Sequence, residues 1–336
     1  MRRPNRAAAV FGTAAALTCL LAGLSVCVGS FPLSFSQIRD ILAGDLDGMP
    51  FRVFWTLRIP RTMVGLLAGW GLGLAGGVYQ TIFRNPLASP DLTGVASGAS
   101  LGAACAIVLG AGSGVSIMTG AFLMGMASLV LVLLLVRAAR MTHTVTYVLA
   151  GVLVSAMADA GLMCLKIMAD PEKELAAIEV WTMGSLASVK ASKLPALLPA
   201  VVVPLLCLLA FRRQTAILSL GEETARSVGL DPVFWRGLLL GLTTLMVAAL
   251  VSVTGVIAFV GLIAPHIAFL LLGRRAGPYL FLCAGVGGCL LLAADLLARS
   301  VSPGAELPLS IFTVLFAVPV LGGLLCGGKG GRYGGA

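Results

Sequence analysis

Thr62 to Ile82 reads TMVGLLAGWGLGLAGGVYQTI and carries no formal charge. A helix of that length crosses a hydrocarbon core of about 30 Å. Apolar residues lie on all sides of it, so no polar face exists to meet water. Gly65, Gly69, Gly73 and Gly77 recur at every fourth position. That period puts them on one side of the helix, as a smooth stripe that a neighbouring backbone can approach closely. The stretch is therefore a spanning helix packed inside a bundle.

Working outward, nine more apolar stretches appear at about 7–29, 92–110, 115–136, 145–168, 194–211, 237–258, 261–272, 279–298 and 309–326. The whole chain of 336 residues is 59% apolar and 11% charged, against about 45–50% and about 25% in soluble domains. The expected class is all-α: a polytopic membrane protein of about ten transmembrane helices forming one domain over residues 1–336. A β-barrel is excluded, because its strands alternate apolar and polar residues. The first apolar run exceeds the roughly 7–15 residues of a signal peptide's core, which predicts a retained span. A second glycine stripe is expected at Gly94, Gly98 and Gly102. Prolines interrupt the chain at Asn85–Pro90 and near Pro265, as in transporters built from broken helices.

The net charge of +9 is distributed as in a membrane protein, and no stretch interleaves arginines with aromatics for nucleic acid. With ten spans and an inside N-terminus, the inner loops and termini take most of the basic residues, among them Arg2, Arg3, Arg6, Arg84, Arg137, Arg140, Arg212, Arg213 and Arg226. The positive-inside rule then predicts cytoplasmic N- and C-termini. Three connections are too polar to be simple turns. Phe31 to Arg61 is read as lying along the outer surface, and Asp170 to Lys193 as an interfacial or re-entrant segment. Arg212 to Trp235 is the longest inner connection and the best candidate for a partner-binding surface.

Several chemistries find no support. His143 and His266 cannot make a metal site alone, and the eight cysteines lack ligand spacing, so no metal or cofactor is expected. Gly323 to Lys329 has the spacing of a phosphate-binding loop, but Gly330 stands where Ser or Thr must hold magnesium. Gly98-Ala99-Ser100-Leu101-Gly102 matches GxSxG and with His266 admits an intramembrane serine hydrolase, although the motif needs a strand-to-helix turn. Asp159 and Asp295, the main ionisable residues within spans, are where an ion-coupled secondary transporter would place its relay. Asp295 has Arg299 nearby as a partner. Coupling to a separate energy source is favoured over both alternatives, and the chain is not expected to be an enzyme.

A series of segments in order then carries a resemblance: Leu57-Arg58-Ile59-Pro60-Arg61; QTIFRNPLASPDLTG from Gln80 to Gly94; Leu149-Ala150-Gly151-Val152; Trp181 to Ser185; Leu220 to Leu230; Gly255 to His266; Asp295 to Arg299; and Glu306-Leu307-Pro308. Together they resemble the FecCD family of ABC-transporter permeases, which includes iron-siderophore, haem and cobalamin importers. The resemblance implies a type II ABC importer permease fold in the cytoplasmic membrane. It also implies a homodimer with a second copy of the chain, two cytoplasmic ATP-binding subunits and an extracytoplasmic binding protein. A ferric siderophore is the expected cargo, with haem and cobalamin as the other members of that class.

Carried over by position, the resemblance makes Gly221, Glu222, Ala225, Arg226, Gly229 and Leu230 the ATPase-coupling loop. Arg58, Arg61 and Arg299 become the docking residues for the binding protein, displayed outward to meet its carboxylates. Thr144 and Val145, with Met141 to His143 before them, become the cytoplasmic gate. Phe269, Ser310, Ala317 and Val318 depart from the family's pattern.

Overall fold

The computed structural model describes residues 4–29, 31–110, 112–140, 144–273, 278–301 and 306–326. They form fifteen α-helices: α1 (Pro4–Cys27), α2 (Phe35–Ala43), α3 (Met49–Val53), α4 (Ile59–Ile82), α5 (Val95–Val108), α6 (Gly114–Ala138), α7 (Thr144–Met168), α8 (Glu174–Thr182), α9 (Leu194–Ala210), α10 (Arg212–Leu218), α11 (Glu222–Ser227), α12 (Pro232–Thr254), α13 (Val260–Leu272), α14 (Tyr279–Ala298) and α15 (Leu309–Cys326). No strand occurs among the described residues. Ten of the helices, α1, α4 to α7, α9 and α12 to α15, coincide with the ten apolar stretches of the sequence.

The differences lie at the helix ends. The helix expected from Thr62 is entered earlier, through α3 and a single π turn at Phe54–Arg58. The wider turn lets the backbone N–H of Ile59 reach the Phe54 carbonyl, just before Pro60, which has no N–H to offer. Only the first part of the Phe31–Arg61 connection is therefore a separate surface helix, α2. It is capped by Ser34, whose hydroxyl accepts from the Gln37 amide while the Gln37 side chain accepts from the Ser34 amide. At the other end of the sequence's range, α12 begins at Pro232 because the Asp231 carboxylate accepts from the Val233 amide at 2.9 Å.

In lipid, apolar side chains gain little by leaving a solvent as apolar as themselves, so helices associate through close backbone approach and van der Waals packing. The centre of the bundle follows that rule. The most apolar window of α4 is 83% buried, against 6% for α1 at the periphery. A methyl group added at Gly69 or Gly73 of α4 would collide with the backbone carbonyls of Gly287 or Cys283 on α14. At Gly77 it would come within 2.9 Å of the Cys283 Sγ, and at Gly65 within 3.1 Å of Leu186. On another side of α4, Gly76 sits against the Gly261 carbonyl of α13. The helix is thus glycine-faced toward two neighbours.

The second stripe is shorter than its spacing predicts. Gly98 and Gly102 of α5 lie against Ser128 and Gly120 of α6. Gly94 instead precedes the helix with φ +71°, between a 3₁₀ turn at Pro90–Thr93 and α5. Its requirement for glycine is set by the left-handed backbone, which corrects its reading as a stripe residue.

Candidate functional site

The ion pairs among the described residues gather toward the two ends of the bundle. At one end, α10 and α11 form a compact lever between α9 and α12. Gly221 enters α11 with φ +121°, and a Cβ there would stand 2.6 Å from the Arg84 guanidinium. Glu222 then accepts from Arg236 Nη2 at 3.0 Å. The Arg236 side chain is 3% exposed and lies over the Tyr147 ring at 5.6 Å, so one buried cation ties α11 to α12 and α7. Ala225 faces the core and is fully buried.

The end of α11 is closed by two bonds. The Gly229 amide donates to the Arg226 carbonyl at 3.0 Å and the Leu230 amide to the Ala225 carbonyl at 2.9 Å. With Gly229 at φ +78° and Leu230 buried beside Ala225, this is a Schellman motif with its hydrophobic contact. The lever is consequently pinned on its inner side. Its outer side exposes Arg226 together with Leu220, Val228 and, at the start of α12, Phe234, each about 60% exposed. Large apolar side chains around an exposed basic residue on a well-anchored segment are the chemistry of a protein-docking surface.

At the opposite end, Arg58, Arg61 and Arg299 meet one another across three elements. Arg61 of α4 donates through Nε and Nη2 to Asp295 Oδ1 at 3.0 and 2.8 Å, and through Nη1 and Nη2 to the two Glu306 oxygens at 2.7 and 2.9 Å. Arg299 lies 3.3 Å from the other Asp295 oxygen and donates to Ser25 Oγ at 2.8 Å and the Val28 carbonyl at 3.0 Å. Arg58 donates to the same Val28 carbonyl at 2.6 Å and to that of Phe31 at 3.1 Å. Two guanidiniums therefore cap the carbonyl end of α1, where the helix dipole favours positive charge. Burial draws the Arg299 pKa down to about 10, with Asp295 acting in the opposite direction.

The three arginines are 8%, 9% and 8% exposed, so none is displayed outward in this chain. The physical reason is the company they keep: Asp295 is 1% exposed and could not remain charged there without a cation beside it. The sequence identified Arg299 as the neighbour of Asp295, but the shorter contact is to Arg61, 234 positions away.

The remaining candidates fall apart as a catalytic set. Ser100 sits inside α5 and returns its hydroxyl to the Ala96 carbonyl at 2.9 Å, without the strand-to-helix turn a nucleophile elbow needs. His266 is buried on α13. No group of three or more metal-ligating side chains occurs among the described residues. Asp159 is exposed on α7. Thr144 and Val145 begin α7, with Val145 74% exposed; Met141, Thr142 and His143 lie outside the described residues, as do Gly327 to Lys329 of the loop-like tail. Ser310 accepts from the Ala258 amide at 3.4 Å and donates to the Val256 carbonyl at 3.2 Å, stitching α15 to the segment before α13.

Sequence reasoning missed several of these roles. Glu306, Ser25 and the Val28 carbonyl escaped it because their partners are distant in the chain. Arg236 and Gly76 carried a local signal: a charge inside an apolar helix, and a glycine outside the fourfold register.

Comparison with known proteins adds an independent line. The sequence profile of the FecCD transport family matches residues 17–326. The molybdate import system permease protein MolB of Haemophilus influenzae is 35% identical over 317 residues, 92% of this chain and 93% of its own. The vitamin B12 import system permease protein BtuC of Escherichia coli is 36% identical over 310 residues, 92% of this chain and 91% of its own. A solved structure described as an inward-facing conformation of a metal-chelate type ABC transporter superposes with a TM-score of 0.84 at 33% identity, covering 94% of this chain and 98% of that one.

Proposed function

Since the chain belongs to the FecCD transport family and is a multi-pass membrane permease of the ABC-importer type, we propose that it forms the homodimeric, cytoplasmic-membrane subunit of a binding-protein-dependent importer whose cargo is a metal chelate. A ferric siderophore is the first candidate cargo, and haem and cobalamin are the alternatives in the same class. The observation that carries this reading is the lever at Gly221–Leu230, anchored through Glu222 and Arg236 and apolar on its outer side. Such a segment transmits a push from a partner as a rigid body. That partner is a pair of ATP-binding subunits, and Gly221, Glu222, Ala225, Arg226, Gly229 and Leu230 form the coupling loop that seats on them.

The positive-inside rule places this end in the cytoplasm, because Arg84, Arg137, Arg140, Arg212, Arg213 and Arg226 gather there. The end bearing Arg58, Arg61 and Arg299 is then extracytoplasmic and receives the binding protein. Arg61 is the docking residue best suited to exchange: its second carboxylate partner, Glu306, has a side chain 36% exposed. A carboxylate from the binding protein replaces Glu306 on the same guanidinium fork. Arg58 and Arg299 hold the α1 end in place around it. Glu306→Gln should then strengthen capture of the loaded binding protein, and Arg61→Gln should weaken it. No change in capture with either variant would sink the docking assignment.

The path lies between two copies, along α7. Asp159 sits within the span and is exposed, with exposed Met163 one turn on along the same face. A carboxylate at that depth needs water or a partner, and a wet passage shared by two α7 helices supplies it. Thr144 and Val145, at the cytoplasmic start of α7, are the gate. The ion-coupled alternative loses one of its two groups, because Asp295 is held between two arginines.

The deciding experiment is uptake into liposomes containing the permease with its ATP-binding subunits, the loaded binding protein outside. Accumulation of a ferric siderophore that requires internal ATP supports the proposal. Uphill accumulation by the permease alone under a proton or sodium gradient overturns it.

A further inference from the structure

Outside the two ends, one feature of the bundle has no part in coupling or docking. A cavity of about 400 Å³ opens on the flank between α1, α4, α9 and α14. Its walls are Phe11, Trp70, Leu205, Leu209 and Phe281. It stays open because α1 and α14 face each other there with Ala14, Ala15, Ala284 and Gly285. A Cβ built on Gly285 meets nothing within 4 Å. The one hydroxyl in its lining, that of Thr18, is already engaged, donating to the Ala14 carbonyl at 2.8 Å.

A cation stands on two of these wall residues. Arg212, the first residue of α10, is exposed. Its guanidinium lies 5.9 Å from the Phe281 ring centroid and donates from Nη1 to the Leu209 carbonyl at 3.3 Å. No carboxylate pairs with Arg212 among the described residues, and Arg213 beside it is also exposed. The site therefore has an apolar trough ending at a held guanidinium, which matches a molecule with a hydrocarbon chain and an anionic head.

We infer that this flank is a binding site for one anionic glycerophospholipid, with an acyl chain in the trough and the phosphate on Arg212. The lipid bridges α1, α9 and α14 at the root of the α10–α11 lever. The site uses none of the residues assigned to coupling, docking or the gate, so it stands or falls separately from the transport reading.

The test is native mass spectrometry of the full chain in mild detergent, with added dioleoyl phosphatidylglycerol, dioleoyl phosphatidylethanolamine or inorganic phosphate. One retained phosphatidylglycerol, held in preference to phosphatidylethanolamine and not displaced by phosphate, is the expected result. Arg212→Gln should abolish that preference, while Gly285→Leu, whose Cβ has open space and whose side chain enters the trough, should lower retention of both lipids about tenfold, a loss of about 1.4 kcal/mol. Cys19 lines the same cavity and is exposed, so added phosphatidylglycerol should slow its alkylation as mapped by peptide mass spectrometry. Equal retention of the two lipids in the unaltered chain and in both variants would mean annular lipid only, and overturns the inference. Protection of Cys19 in lipid-free protein, with loss of the dimer in Gly285→Leu, would assign the trough to a second copy and overturns it as well.

Discussion

Arg61 shows how a charge survives at the edge of a low-dielectric bundle. Its fork is filled by two carboxylates on separate elements, and one of them, Asp295, is shared with Arg299. Removing Arg61 takes two carboxylates off its fork and leaves Asp295 with Arg299 as its cation, a loss of charged hydrogen bonds expected to cost about 1.5–3 kcal/mol. Arg61→Ala should therefore unfold at a clearly lower temperature in detergent, and Arg61→Ala combined with Asp295→Ala should recover part of the loss. A single variant as stable as the unaltered chain would show that water enters the cluster and the pair carries no structural burden. A second ion pair, Glu222 with Arg236, ties α11 to α12. Glu222→Ala should reduce ATPase stimulation by the loaded binding protein, while ATP hydrolysis by the ATP-binding subunits alone stays unchanged.

Among the elements, α4 and α11 use glycine for two distinct reasons. On α4, Gly73 is required by a neighbour: a side chain there enters the Cys283 carbonyl, so Gly73→Leu should prevent α4 and α14 from closing and abolish the monodisperse peak in size-exclusion chromatography. At Gly229 a Cβ would meet nothing within 4 Å, but φ is +78°. Gly229→Ala is thus expected to cost about 1–2 kcal/mol through left-handed backbone strain alone, loosening the end of α11 and not the bundle. Faster hydrogen exchange at the Leu230 amide, with the α4 amides unchanged, would measure that effect. Gly12→Ala is a useful control, since Gly12 has neither a close neighbour nor a left-handed backbone. The spacing of glycines made the α4 stripe visible in the sequence. It also led Gly94 to be read as a stripe member, because periodicity does not distinguish a helical glycine from one in the turn before the helix.

At the scale of the whole molecule, the chain is a stack of apolar helices whose ion pairs, among the described residues, lie toward its two ends, while Asp159 lies on the exposed face of α7. If the path runs between two copies there, Asp159→Asn should change the rate or selectivity of uptake without affecting binding-protein capture. Equal uptake of every tested chelate by both forms would move the path away from α7.

Composition, apolar length and glycine spacing were sufficient to locate ten apolar helices, seven of them long enough to cross a membrane and three shorter, and to give the all-helical class, because a bilayer imposes its thickness and its demand for internal backbone hydrogen bonds on every segment separately. Those are local constraints, and a sequence displays them directly. What only the tertiary structure decided is which charges neutralise each other, Arg61 with Asp295 and Glu306 and Arg236 with Glu222, and that Arg58 and Arg299 both donate to the Val28 carbonyl at the end of α1. Most of these pairings join residues on separate helices, and their energy depends on distance and burial in three dimensions. Spacing along the chain carries no record of either.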